Sequence, residues 1–265
     1  MRISLDVIIY MNERQQKILS IMEDCNGEVQ LQELKKVFPD VSTMTLRRDL
    51  ITLENEGYLI RTYGGAVSVK KVTNGIKEED AYSIRAAENV EAKIKIAEKA
   101  VPMVEKGRSV FFDAGSTLMC LARLIPDENF SILTSGTNIA LELVKKLRTS
   151  VVTLGGQINR NSLSVSGPYA NSMLDNLNID LAFMSSSGFS LESGFTVGNI
   201  YECELKRKVV KRAQKVILLM DTSKINKNLP FTYATLEDID IWICEKTLPP
   251  EIEAEAKRCG VKIII

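Results

Sequence analysis

Two groups of residues in this chain combine type and spacing in ways that suit the binding of anions. The stretch Ser42 to Val67, STMTLRRDLITLENEGYLIRTYGGAV, sets adjacent arginines in a helix-like pattern and follows them with a glycine turn. Further on, the short polar runs DAGST, TSGTN, LGG and DTSK each come directly after an apolar run. Small residues at such places let backbone N–H groups approach an anion, and hydroxyls add donors at a helix end.

Placing Leu46 at zero and turning about 100° per residue brings Leu50 and Leu53 within about 40° of it, with Met44, Arg48 and Asn55 on roughly the opposite side. Arg48 therefore projects away from the core and Arg47 lies on the flank. Ser42, Thr43 and Thr45 gather at the N-terminus of that helix, where small hydroxyls and unbonded N–H groups suit phosphate. Two short helices are expected before it, one from Asn12 to about Asp24 carrying Ile18, Leu19 and Met22 and stopped by Asn26-Gly27, and one carrying Leu31, Leu34 and Phe38. Gly57 should end the third helix, and Tyr58 to Arg61 and Ala66 to Val69 should form a hairpin around Thr62-Tyr63-Gly64-Gly65. This is a helix-turn-helix layout with a wing. Ser42, Thr43, Met44, Thr45, Arg47 and Arg48 are the expected DNA contacts on the recognition helix, with Arg61, Gly64 and Gly65 on the wing.

Charge limits how such a surface could act. Lys plus Arg and Asp plus Glu number 34 each, so the chain is no polycation. Residues 11–70 hold 8 basic and 9 acidic side chains, a formal −1, so DNA affinity must come from local placement. A single such domain would bind weakly, and a homodimer or homotetramer on repeated half-sites is expected. The five cysteines form no CxxC pair and there is no histidine, which leaves no histidine-dependent metal site and no Ser-His-Asp triad, and fits a reducing cytoplasm. The opening MRISLDVIIYM is too short for a membrane span and reads as a leader before Met11. No cofactor and no membrane partner are expected.

The chain divides at a polar segment. Residues 11–69 are the expected winged helix-turn-helix, 70–80 a linker, and 81–265 an α/β domain. A helical pattern from Ala81 to Val104 leads into alternating apolar runs and amphipathic helices, the βαβ signature of a mostly parallel sheet. Ligands of such sheets bind beyond the carboxyl ends of the strands. There the reading places Asp113, Gly115, Ser116 and Thr117 after one strand, Thr134, Ser135, Gly136 and Asn138 after the next, Gly155 after a third, and Lys224 in DTSK. Phosphate suits the small residues and Lys224; Asp113 is assigned to sugar hydroxyls or to holding Lys224.

The combination SxxTLRRDL, LExxGYLxR and GGA, in order after a helix pair, resembles the N-terminal domain of DeoR-type bacterial transcriptional regulators. The similarity continues through Arg85 and the helix containing Lys93, DAGST, TSGTN, LGG, Ser166-Gly167, Gly194-Phe195-Thr196, Glu202 and DTSK. Three departures stand out: Tyr63 where histidine is common, Ser135 where asparagine is common, and Ser185-Ser186-Ser187 in a loop that usually carries glycine. The resemblance implies a second domain like the sugar-phosphate isomerase and CoA-transferase group of folds. It also implies a regulator, in most cases a repressor, of carbohydrate genes, with operator DNA as partner. A phosphorylated sugar or related metabolite would be the effector, with Arg85 and Glu202 joining its site. The sequence leaves two other readings open. One is an isomerase-like enzyme with Asp113 or Glu202 as base and Lys224 on phosphate; the other is a DNA-binding protein whose pocket has lost its ligand.

Overall fold

The computed structural model describes residues 12–25, 27–55, 58–62, 64–68 and 81–265. The expectations for the leader, Met11, Asn26, Gly57, Tyr63, Val69 and the linker at 70–80 lie outside the described residues. The chain separates into two compact units, dividing between Lys77 and Glu78.

In the first unit, α1 (Glu13–Asp24) starts on a capping box: Asn12 accepts from the Gln15 backbone N–H at 3.0 Å, and the Gln15 side chain accepts from the Asn12 N–H at 3.0 Å. α2 (Leu31–Val37) and α3 (Thr43–Asn55) come next. Leu46, Leu50 and Leu53 are buried as the helical projection requires, and they pack with Ile18, Met22, Val29, Leu34, Leu59 and Ala66. At about 1.5–3 kcal/mol for each large apolar side chain buried, that cluster supplies the drive to fold a unit of this size. Asp49 is also buried. It is held by Arg14 through Nε at 2.5 Å and a terminal nitrogen at 3.1 Å, and by Gln15 at 3.3 Å.

The sheet of this unit has a strand the sequence did not reveal. β1 (Glu28–Gln30), β2 (Leu59–Arg61) and β3 (Gly65–Ser68) pair antiparallel in the order β1-β3-β2. Three residues with Val29 as the only large apolar side chain carry no period, so the strand is defined by its partner β3. That pairing also explains Gly65. A Cβ there would come within 2.0 Å of the Val29 carbonyl oxygen, so the residue is dictated by close strand approach.

The second unit opens with two helices where one continuous helical pattern was expected. α4 (Tyr82–Ala87) and α5 (Val90–Ala100) are separated at Asn89, whose φ is +50°, and a 3-10 turn at Val101–Met103 around Pro102 ends the segment. The break is stabilised by Lys93, whose ammonium donates to the Arg85 and Glu88 carbonyls, groups the end of α4 leaves without helical partners.

The main sheet is built from β4 (Ser109–Phe112), β5 (Ser131–Thr134), β6 (Ser150–Thr153), β9 (Ile179–Met184), β12 (Ala213–Leu219), β14 (Ile241–Ile243) and β15 (Lys262–Ile264). These seven strands are parallel, in the order β15-β14-β12-β9-β4-β5-β6. The helices are α6 (Ser116–Leu124), α7 (Thr137–Leu143), α8 (Pro168–Leu174), α9 (Ile200–Arg212) and α10 (Pro250–Arg258). Phe111, Ala182, Leu218 and Trp242 face one core, and Phe112, Phe183, Leu219 and Ile243 the other, so the sheet is covered on both faces. Two small antiparallel pieces complete the unit. One pairs β7 (Gln157–Ile158) with β8 (Val165–Ser166); the other joins β10 (Gly188–Ser190), β11 (Gly194–Val197) and β13 (Phe231–Ala234) in the order β10-β11-β13.

Chain order fixes where this sheet can hold a ligand. From β4 the chain steps outward through β5 and β6, whereas β9, β12, β14 and β15 step the other way. The reversal falls between β4 and β9, where the loops beyond the strands diverge and leave a crevice.

Candidate functional sites in the two units

The crevice at that reversal holds a narrow recess that is partly open to solvent. Its lining comes from the loops after β4, β9 and β12 and from α4 and α5. Of the residues assigned to the effector, Arg85, Gly115, Ser116, Thr117 and Lys224 line it, and Lys93, the 185–187 serines and Asp221 join them. Gly115, Ser116 and Thr117 form the N-terminus of α6. Gly115 sits at φ +157° and ψ +158°, a conformation open only to glycine, and a Cβ there would meet Ser185 Oγ at 2.8 Å.

Cations dominate this recess. Lys93 is buried, and burial, helped by the charge of Lys224 and opposed by Asp221, pushes its ammonium down to about 8. Asp221 is itself turned inward, its carboxylate accepting from the Ser223 N–H at 3.1 Å and from the Ser223 hydroxyl. Arg85 reaches the Asn161 carbonyl at 3.4 Å, and the Ser116 hydroxyl donates to the Arg85 carbonyl at 3.3 Å. An anion in this space would meet three basic side chains and the N–H groups of a helix start.

Asp113 does something other than the sequence implied. It is 1% exposed and lies beneath the recess, paired with Lys206 and not with Lys224. Lys206 is equally buried, close to Asp113 on one side and 3.5 Å from Glu202 on the other. Burial alone would push the Lys206 ammonium down, but the two carboxylates outweigh it and hold it above the ordinary lysine value. Asp113 also accepts from the Ser185 N–H at 3.0 Å and the Ser185 hydroxyl at 2.9 Å. Tyr233, its hydroxyl donating to the Ser185 carbonyl at 2.9 Å, closes the cluster against the Lys206 ammonium.

The remaining expected residues do not line the recess. Thr134 is fully buried and its hydroxyl accepts the Gly136 N–H at 3.0 Å, closing the turn into α7. Ser135 accepts the Ala114 N–H at 3.0 Å and so ties the β4 and β5 loops together. Asn138 lies in the first turn of α7, and Gly155 is exposed beyond β6 with open space around it. Glu202 is buried in the first turn of α9, bound to Lys206 and to the Ser164 hydroxyl at 3.3 Å. β5 and β6 lie on the far side of β4 from the reversal, which is why their loops miss the crevice. Sequence reasoning missed Lys206. One signal marks it: it lies three residues before Val209, four before Val210 and four after Glu202, so that a charged i,i+4 pair falls on the buried stripe of α9.

In the first unit, α3 presents Thr43, Met44, Arg47, Arg48 and Ile51 to solvent. Ser42 caps the helix, accepting the Thr45 N–H at 3.1 Å, and its hydroxyl lies 2.9 Å from that of Thr45. Those two hydroxyls are engaged with each other, so the cluster offers anions fewer free groups than its composition implied. Neither Arg47 nor Arg48 has an ion-pair partner among the described residues. Arg61 does: its backbone N–H and Nε both bind Glu54, at 2.9 and 2.6 Å, bracing the wing on α3. Gly64 is exposed at the turn, and its carbonyl accepts the Leu31 N–H at 2.8 Å.

Comparison with known proteins agrees with this division. Residues 14–72 match the DeoR-like helix-turn-helix domain, and residues 88–246 match the DeoR C terminal sensor domain. The HTH-type transcriptional regulator GolR of Listeria innocua is 34% identical, over 96% of this chain and 98% of its own. A putative aga operon transcriptional repressor of Escherichia coli is 29% identical, over 96% and 93%. The L-fucose operon activator of Haemophilus influenzae is also 29% identical, over 96% and 100%. Among solved structures, ribose 5-phosphate isomerase A of Methanocaldococcus jannaschii is similar over 54% of this chain and 57% of its own, at 18% identity and a TM-score of 0.38.

Proposed function

Because the chain belongs to the DeoR family of HTH-type transcriptional regulators, we propose that it represses carbohydrate genes and that a phosphorylated sugar, bound in the recess of the second unit, sets its hold on operator DNA. The chain is a DNA-binding regulator and not an enzyme. The isomerase alternative required Asp113 or Glu202 as a free base, and both carboxylates are buried against Lys206.

The observation that carries the effector reading is the convergence of Arg85, Lys93 and Lys224 on the N-terminus of α6 at the strand-order reversal. A phosphate there would gain charge-assisted hydrogen bonds, and the adjacent serines could receive sugar hydroxyls. Repression is taken from the name of the aga relative; the fucose relative is named an activator, so the sign belongs to this proposal alone. Ligand binding would shift the population between DNA-competent and incompetent states by no more than its differential affinity for them.

A homodimer or homotetramer in the cytoplasm completes the reading. Among the described residues no helix is long and apolar enough to cross a membrane. Leu141, Val144, Leu147 and Val152 are exposed around the end of α7 and the edge strand β6, an apolar strip that a second copy would cover.

The test is thermal unfolding of the full chain with pentose and hexose phosphates beside the same sugars unphosphorylated. Ligand at 100 times its Kd stabilises the native state by about 2.7 kcal/mol, so a hit is unmistakable. Stabilisation by phosphorylated members alone is expected. No effect from any of them, or equal effects from the free sugars, would remove the effector assignment. Light scattering that gives a monomer on operator DNA would remove the oligomer.

A further inference from the structure

We propose that Met44 reads the 5-methyl group of a thymine in the major groove, which deepens and rests on the reading of α3 as the recognition helix. Met44 is 61% exposed in the first turn of α3. At about 100° per residue, Met44, Arg48 and Ile51 share an arc of roughly 60°, and Arg47 lies about 60° from Met44 on the side away from Arg48. The only large apolar group in the helix's first turn that faces water is thus set between the two arginines.

Neither of the carboxylates that α3 contributes after Arg48, Asp49 and Glu54, stands free on that face. Asp49 is turned into the unit and held by Arg14 and Gln15, and Glu54 is occupied by Arg61. A lone exposed methionine needs no explanation on an ordinary surface. Here it sits beside two arginines on a helix whose N-terminal residues are the ones that reach base edges. In the major groove, the thymine 5-methyl is the one apolar group on a base edge, and an apolar side chain is its natural contact. The unbranched thioether can adapt to the methyl without a fixed rotamer. Ile51 is seven residues on, about 10 Å further along the axis, where a helix entering by its N-terminus is leaving the bases.

Duplexes are first selected from a randomised library with the full-length protein, and thymidines in the selected duplex are then replaced singly by deoxyuridine, which removes only the methyl. Burying one methyl group corresponds to about a fourfold change in affinity. The expected result is one thymidine per half-site where deoxyuridine costs the wild type about fourfold, while Met44→Ala binds both duplexes equally. Met44→Leu, still apolar, should keep most of the sensitivity. Selection repeated with Met44→Gln should no longer enrich thymine at that position. Deoxyuridine neutral at every position, an undiminished methyl effect in Met44→Ala, or the same thymine enriched by Met44→Gln would each overturn the proposal. Failure to enrich any duplex would instead overturn the DNA reading, and this one with it.

Discussion

Two charged assemblies lie one beneath the other at the carboxyl end of the parallel sheet, and they treat charge in opposite ways. The recess gathers Arg85, Lys93 and Lys224 around space that is open to solvent, with Asp221 turned aside. Directly beneath it, Lys206 is sealed between Asp113 and Glu202. The first sets three cations along open space; the second has satisfied its cation with protein carboxylates. A residue's chemical type therefore does not assign it to a ligand. Asp113, Glu202 and Lys224 all sit near strand ends or helix starts, and what separates them is whether the protein already supplies the counter-charge.

The largest effect should come from breaking the sealed assembly. Lys206→Met leaves two carboxylates facing each other without a cation, and removing one partner of a buried ion pair costs about 3–5 kcal/mol. Chemical unfolding should show that loss, whereas Lys224→Ala should change stability by no more than about 0.5 kcal/mol, as solvent-facing substitutions do. Comparable losses in the two variants would erase the distinction between the assemblies.

How far the sequence foretold this difference depends on what each feature needs. Leu46, Leu50 and Leu53 carry a helical period, and SVFF and IDLAFM are apolar runs long enough to read as strands, so both units were legible. Gly115, Ser116, Thr117 and Lys224 were legible because the rule about strand ends picks them out one by one, whereas Arg85, on α4, entered only through the family resemblance. The rule cannot say which strand ends adjoin. That depends on the order β9-β4-β5, which no local pattern encodes, and so Thr134, Ser135, Asn138 and Gly155 were grouped with a crevice they do not line. The partnership of Lys206 with Asp113 spans 93 residues and exists only once β4 and α9 have packed. The break at Asn89 was hidden for a similar reason: a lysine capping the end of α4 compensates for it.

The second effect in size belongs to the open assembly. Lys224→Ala should weaken inorganic phosphate, or any stabilising sugar phosphate, by about 2 kcal/mol, the range for a hydrogen bond to a charged group. Calorimetry should register roughly a thirtyfold rise in Kd. Operator binding by the ligand-free protein should stay nearly the same, since the first unit has its own core. An unchanged Kd would place phosphate elsewhere.

Lys93 gives a third, pH-dependent effect. Its native pKa of about 8 lies below the ordinary lysine value of 10.5, mainly through burial. Below pH 8 both native and unfolded chains hold the proton and the burial penalty is present in full. Above 8 the native state releases it while the unfolded chain retains it to about 10.5, so ligand-free stability should rise across that window. Phosphate favours the charged form, so its affinity should fall over the same window, by at most about tenfold per pH unit. With a sugar phosphate as the ligand, its own second ionisation, near 6, is complete by then. Calorimetry at pH 7.5 and 9 in buffers of different ionisation enthalpy should reveal proton uptake on binding, absent in Lys93→Met. A Kd flat across that range would show that Lys93 stays charged in the empty recess.

The smallest effect concerns a residue common to both assemblies. Ser185 lines the recess, and its hydroxyl lies 2.9 Å from Asp113 Oδ2 and 3.0 Å from the Ala114 carbonyl, so one proton serves two acceptors. Ser185→Ala removes that proton, but Asp113 keeps the Ser185 backbone N–H and the Lys206 ammonium. The stability loss should be about 1 kcal/mol, the net worth of one hydrogen bond. If the sealed cluster merely supports the floor of the recess, phosphate affinity should move less than threefold. The interaction energy between Ser185→Ala and Lys224→Ala should then stay below about 0.5 kcal/mol, the scatter seen for independent sites. A larger coupling in this double-mutant cycle would mean that charge entering the recess is felt by the pair beneath it, and the two assemblies would have to be treated as one site.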